Sequence, residues 1–241
     1  MPFFKCNFHT HTVLSPCGDI SMTPEIFVDT LIKNQIDWIS ITDHNSCRNI
    51  FNYKNILESH GIKVMPGIEV ETSEGIHILV YFEKIEDSLE FGKIIEDSLI
   101  IKNFDPEKLG YQICVDEDGE FSELLENPYL GSSSFYSIDE IYNLAKKYNT
   151  IIVPAHIFRI NGLIKNLGFP PELTFDAVEI KSLEELERAS KLGYNSFFYG
   201  IDSHFPEQLE FPSFIIEAKS RNFKELKNSI HEKKVILKWQ H

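Results

Sequence analysis

The chain has 241 residues and carries 23 Lys+Arg against 37 Asp+Glu, a formal charge of −14. That field opposes a broad nucleic-acid face or an anionic membrane surface, both of which need a basic patch. It leaves room for a small anionic substrate, because bound cations reverse the sign locally.

The length lies within the about 200–250 residues that one α/β barrel routinely fills, so a single domain over 1–241 is expected. The cysteines Cys6, Cys17, Cys47 and Cys114 form no CxxC pair. "MPFFKCNFHT" lacks the apolar core of a signal peptide, and no apolar run approaches about 18 residues. These features predict reduced thiols in a soluble cytoplasmic protein.

In chain order, "FFKCNF" is a strand running into His9. "MTPEIFVDTLIKNQ" is a helix with Thr23 as N-cap, Pro24 at its first position and Glu25 in its first turn. "IDWISIT" is a strand, "CRNIFNYKNILESHG" a helix closed by Gly61, and "IKVMPGIEVET" and "GIHILVYF" are strands separated by "SEG". Residues from about 83 to 135 are acidic and less regular, with a hairpin at "YQICVDEDGEFSE"; this stretch reads as an insertion or lid. Alternation then resumes with "SIDEIYNLAKKYN", "TIIVPAH", "DAVEI", "SLEELERASKLG", "NSFFYGIDSH", "FPSFIIEA", "NFKELKNSIHEKK" and "VILKW". The pattern predicts an α/β fold with a largely parallel sheet. Phosphate-loop and GxGxxG signatures are absent, which weakens a nucleotide-binding open sheet but does not prove a closed barrel.

Either architecture gathers its site at the C-terminal ends of strands. His9 and His11 follow the first strand, and Asp43 and His44 follow "WISI". Glu69 lies near the end of "VMPGIEV", and His77 sits in "GIHILV". His156 ends "IIVPAH", while Asp202 and His204 end "FFYGIDSH". In an extended segment, residues i and i+2 share a side about 6.5–7 Å apart, so one ion or a close pair can meet both imidazoles of His9-Thr10-His11. His60 and His231, in helical segments, and the terminal His241 carry no such pattern. Imidazole with carboxylate suits zinc, manganese or iron.

The order "HTH", "ITDHN", "PGIEVET", "IHILVYF", "VPAH", "GIDSH" resembles the PHP (polymerase and histidinol phosphatase) superfamily, and "FHTHTVLSPCGD" is similar to a branch with "SPC" after the histidine pair. The resemblance implies a distorted (β/α)7 barrel holding two or three divalent metal ions and hydrolysing phosphoesters. It implies that His9, His11 and Asp202 bind the first metal and that Glu69 bridges two. His44 and His204 would belong to the second site, and His77 and His156 would complete a third beside Glu69. Asp43 would orient a ligand imidazole or cap its loop.

One departure matters: Pro16 stands where related members have a ligand Asp in "SDG". Asp19 could take over if the loop folds back; Cys17 could supply a thiolate or be an inert thiol. Arg48 and Arg159, in strand-end loops, suit phosphate clamping or surface ion pairing.

The expected function is hydrolysis of a small phosphorylated metabolite, nucleotide or short oligonucleotide by a metal-activated hydroxide, with Asp202 or His204 relaying a proton to the leaving group. The alternatives are a metallohydrolase acting on an amide or lactone, and a metal-stabilised binding or regulatory module without turnover. No base-stacking motif lies on a basic groove, which disfavours long polynucleotides.

Overall fold

A computed structural model describes residues 1–237 of the chain. Strand and helix alternate through β1 (Phe3–Thr10), α1 (Pro24–Asn34), β2 (Trp38–Ile41), α2 (Ile50–Ser59) and β3 (Lys63–Glu71), and β1–β2 and β2–β3 pair in parallel. The next strand, β4 (His77–Phe82), departs from the expected parallel order. The link from Glu71 to His77 is too short for a crossover helix. The chain therefore turns back, and β4 pairs antiparallel with β3, His77 opposite Glu71.

After β4 come α3 (Ile85–Asp97), α4 (Pro106–Leu109), the hairpin β5 (Ile113–Val115) and β6 (Phe121–Leu124), α5 (Ile138–Ala145) and β7 (Thr150–Pro154). Then follow α6 (Leu163–Leu167), β8 (Val178–Ile180), α7 (Leu183–Lys191), β9 (Phe197–Tyr199), a 3-10 turn (Pro206–Glu210), β10 (Phe214–Glu217), α8 (Phe223–His231) and β11 (Val235–Leu237). Lys238 and Trp239 of the expected last strand, and His241, lie outside the described residues.

The curled seven-stranded sheet has the order β11-β10-β1-β2-β3-β4-β7, and β8 and β9 form a separate parallel pair. Besides β3–β4, the pairs β4–β7, β1–β10 and β10–β11 are antiparallel, so the sheet is mixed rather than largely parallel. The fold is α/β, as expected.

Alternation along the strands sorts two cores. Leu79 and Tyr81 of β4 and Ile151 and Val153 of β7 face an inner cluster with Phe8, Trp38, Phe198 and Phe214. Their neighbours Ile78, Val80, Phe82 and Ile152 face the outer core beneath the helices. Phe223, Leu226 and Ile230 of α8 join the inner cluster. At the opposite end of β1 the register with β2 shifts between Asn7 and Thr10. Such an irregularity re-aims side chains, and from here on histidines take over from the aromatic filling.

The 83–135 stretch divides in two. Helix α3 places Ser88, Phe91, Gly92 and Ile95 at helical spacing on its buried face and packs on the sheet. Its acidic exposed residues hide that period in the sequence. The remainder is tied to the loops above the sheet. Asn45 donates to the carbonyls of Leu130 (2.7 Å) and Ser132 (3.0 Å), and Ile113 N–H donates to Val13 O (3.0 Å). Among the described residues, no helix is long and apolar enough to cross a membrane.

Candidate metal centre

Glu69, on β3 and fully buried, organises this end of the sheet. Its Oε1 lies 3.2 Å from His9 Nε2, 3.0 Å from His77 Nδ1 and 3.4 Å from His156 Nε2. Its Oε2 lies 3.2 Å from both His11 Nε2 and His44 Nδ1. Asp202 Oδ1 is 3.3 Å from the Nε2 atoms of His9 and His11 and 3.5 Å from His204 Nδ1. His77 reaches this cluster from the first residue of its strand because β4 runs antiparallel; its position is the same edge of the sheet, not a strand's C-terminal end.

Local backbone conformation helps aim these groups. Asn45, His156, Asn161 and Asp202 have φ of 52, 30, 62 and 63°. This left-handed region is costly for side chains other than glycine and gathers at functional sites.

Hydrogen bonds settle which imidazole nitrogens face inward. His9 Nδ1–H donates to Glu179 Oε2 (2.8 Å), leaving Nε2 for the centre. Ser15 Oγ gives its proton to Asp43 Oδ1 (2.7 Å), so it accepts from His11 Nδ1–H (3.0 Å) and His44 N–H (3.1 Å). His204 Nδ1–H donates to Asp202 O (2.8 Å). Asp43 also accepts from Thr12 N–H and Oγ–H, each at 2.7 Å, so it both caps the loop and orients His11 through Ser15.

The inward atoms test whether metal fits. Among the described residues, His9 Nε2, His11 Nε2, Glu69 Oε2 and Asp202 Oδ1 are buried without a hydrogen-bond partner. Buried polar atoms normally find one. Three overlapping groups could each hold an ion: His9, His11, Glu69 and Asp202; His44, Glu69 and His77; and His11, His44 and His204. The donor set fits divalent metal.

Two expected site residues lie elsewhere. Asp19 turns away from the cluster: its Oδ1 accepts from Ser21 N–H (2.8 Å) and Oγ–H (2.5 Å), a local turn that needs no metal. Arg48 is committed to Glu96, with Nε donating at 3.1 and 3.0 Å and Nη2 at 2.8 Å, and lines neither cavity of the site. A buried carboxylate needs such a partner, which explains the capture. Arg159 does line the cavity over the cluster, about 310 Å³, with His44, His77, His156, Asp202 and His204. It is exposed and has no ion pair among the described residues.

Sequence reasoning missed Glu179, Ser15 and Lys181. Glu179 is a carboxylate buried between Val178 and Ile180, an unusual place for one in a short strand. That anomaly was its available signal. Lys181 Nζ lies 3.7 Å from Asp202 Oδ2.

Burial drives Glu69 up, but His9, His77, His44 and His11 outweigh it and hold the carboxyl well below its usual range. Burial drives Asp202 up, but His9 and His11 prevail and keep it a carboxylate. Burial lowers His204 to about 4, with His11 assisting. For His77, burial lowers the value, but Glu69 and Glu71 override it and push it up to about 10.

His77 gives a pH prediction for the metal-free protein. Its folded value exceeds the ordinary 6.5, so its charged form stabilises the fold fully below pH 6.5 and loses that contribution as pH rises toward about 10. The chelated protein's Tm should fall across that window. Metal uptake near pH 8 should release protons, read by calorimetry in buffers of different ionisation enthalpy. A flat Tm and no proton release would contradict this electrostatic picture.

The family model described as "PHP domain" matches residues 7–238. The chain belongs to the PHP family. This is the family that the motifs led us to expect. No curated protein matches by sequence.

Solved structures share the PHP fold at low identity. The lesion-specific endonuclease EndoQ from Pyrococcus furiosus aligns at TM-score 0.72 and 16% identity, over 96% of this chain and 56% of that one. The chain thus spans little more than half of that endonuclease. A protein assigned as a metal-dependent phosphoesterase from Bifidobacterium adolescentis aligns at 0.55 and 16%, over 85% and 89%. An amidohydrolase from Chromobacterium violaceum, with sulfate bound and no metal, aligns at 0.60 and 15%, over 97% and 98%.

Proposed function

We propose that this PHP protein is a metal-dependent phosphoesterase acting on a small phosphorylated metabolite, nucleotide or short oligonucleotide. The observation that carries the reading is Arg159, without an ion pair among the described residues, on the wall of the cavity over the imidazole–carboxylate cluster. His9, His11, Glu69 and Asp202 would hold one ion and His44, Glu69 and His77 another, with His156 beside Glu69; His11, His44 and His204 form an overlapping place for an ion, in which His11 Nε2 would serve one ion at a time. Bound divalent ions supply activated water near neutral pH and offset phosphate charge.

The chain's own groups divide the remaining work. Arg159 presents a planar fork of donors suited to two phosphate oxygens. It also lines an adjoining cavity of about 490 Å³ with Lys181, Glu185, Tyr199, Glu207 and Phe211, which offers aromatic contacts and charges of both signs to the rest of a substrate. Asp202, kept ionised, is suited to accept a proton rather than donate one. His204, neutral at pH 7 and held at Nδ1, serves better as a ligand than as a general acid.

The test is turnover of phosphomonoesters, phosphodiesters, lactones and amides by protein loaded with Zn²⁺, Mn²⁺ or Fe²⁺. Phosphoester turnover is expected, and Arg159→Ala should raise KM about 10- to 100-fold, the scale of about 1.5–3 kcal/mol for a hydrogen bond to a charged group. Arg159→Lys should recover part of that loss, with metal content unchanged. Cleavage confined to amides or lactones would overturn the phosphoesterase reading in favour of the second one, to which the full-length similarity with the amidohydrolase lends support.

A further inference from the structure

The three candidate ion groups differ in charge. Those containing His9 and His77 each include the Glu69 carboxylate, whereas His11, His44 and His204 are neutral donors only. The carboxylates that reach these imidazoles, Glu69 and Asp202, are shared with the other groups, so a divalent cation there has no carboxylate to itself. Asp19 does not provide one, since its carboxylate is held by Ser21.

Cys17 does come into place. Its Sγ lies 3.1 Å from His204 Nε2, whose lone pair faces it because Nδ1–H is donated to Asp202 O. Zinc bonds of about 2.3 Å to sulfur and about 2.0–2.1 Å to imidazole nitrogen put two donors at that separation within the span of one ion. The completely buried His11 ring stacks on that of His204, with centroids 4.1 Å apart, so the imidazole that meets Cys17 is itself packed on a ligand of the centre.

The backbone fixes this approach. Asp19 N–H donates to His204 O (2.9 Å), stapling the Cys17 loop to the His204 loop. Gly18 N–H donates to Ser15 O (2.8 Å), closing a turn so tight that a Cβ on Gly18 would stand 2.7 Å from Thr12 O. Pro16 is buried in that turn. The loop therefore delivers residue 17 to the centre and sends residue 19 outward.

We propose that the Cys17 thiolate is the anionic ligand of the ion held by His11, His44 and His204. The proposal rests on the metal-centre reading above. As the metal–sulfur bond forms, the S–H bond breaks and its proton goes to solvent. A sulfur donor biases this position toward zinc or iron over manganese.

Cobalt(II) loading of the full chain under anaerobic conditions tests this. Cobalt binding without regard to ligand type is read by elemental analysis and visible absorption; the sulfur bond is read separately as a thiolate-to-cobalt charge-transfer band in the near ultraviolet. The wild type should show the band. Cys17→Ser should lose it, together with at least tenfold of affinity at one site, while the remaining cobalt stays bound. Cys6, Cys47 and Cys114 are buried away from the cluster and should contribute nothing.

Bound cobalt without the band, or the same band in Cys17→Ser, overturns the proposal. No cobalt bound at all overturns the metal-centre reading as well, which separates the two failures. A second measurement needs no variant: zinc should slow alkylation of wild-type Cys17 at least tenfold, and equal rates with and without zinc would also overturn the proposal.

Discussion

Glu69→Gln should lower the protein's affinity for divalent metal about 150- to 5,000-fold and abolish measurable hydrolysis at micromolar metal. The carboxylate is fully buried, and five imidazoles converge on its two oxygens at 3.0–3.4 Å. Removing one partner of a buried charged set costs about 3–5 kcal/mol, which is that range as an equilibrium constant. Glutamine keeps the shape but replaces an anionic donor with a neutral amide whose NH₂ faces imidazole lone pairs. The variant carries an internal control. His77 owes its raised value first to Glu69 among the carboxylates, so the decline in metal-free stability between pH 6.5 and about 10 should flatten in Glu69→Gln. Titration by calorimetry and melts across pH read both effects. Wild-type affinity in this variant would remove Glu69 from the centre.

The candidate site was legible because ligand pairs sit close in sequence. His9-Thr10-His11, Asp43-His44 and Asp202-Ser203-His204 are each defined by a few residues, and a strand end is a place that alternation and turn residues mark. Strand direction was less legible, since buried parallel and antiparallel strands can read alike. The short "TSEGI" link from β3 to β4 was the local clue to reversal, and it explains why His77 reaches the centre from the start of its strand. The fate of Cys17 and Asp19 depended on how tightly Thr12–Gly18 turns, which residue types only suggest. Arg48 was captured by Glu96, a partner distant in sequence and part of a helix whose acidic face obscured its buried stripe. Glu179 was hidden for the same reason: its partner His9 lies at the other end of the chain.

Glycine at position 200 belongs to that hidden layer, and Gly200→Ala should damage both packing and the centre. A Cβ there would stand 1.9 Å from Glu179 Cδ and 2.0 and 2.2 Å from its carboxylate oxygens, so the carboxyl must move. It has little freedom, because it is buried, accepts from His9 Nδ1–H at 2.8 Å and receives His156 N–H at 3.3 Å. Overpacking of this kind costs about 1–3 kcal/mol, and at this chain length about 2–4 °C of Tm per kcal/mol. Releasing His9 adds a second loss, since removing the acceptor behind a ligand histidine weakens metal binding about 10- to 100-fold. Glu179→Asp shortens the side chain and should also weaken metal binding, while making space for the alanine methyl. The double variant should therefore melt above Gly200→Ala yet bind metal no better than Glu179→Asp, a non-additive pattern expected only of groups in contact. If Gly200→Ala keeps both the wild-type Tm of the metal-free protein and its metal affinity, Glu179 does not hold His9 in place.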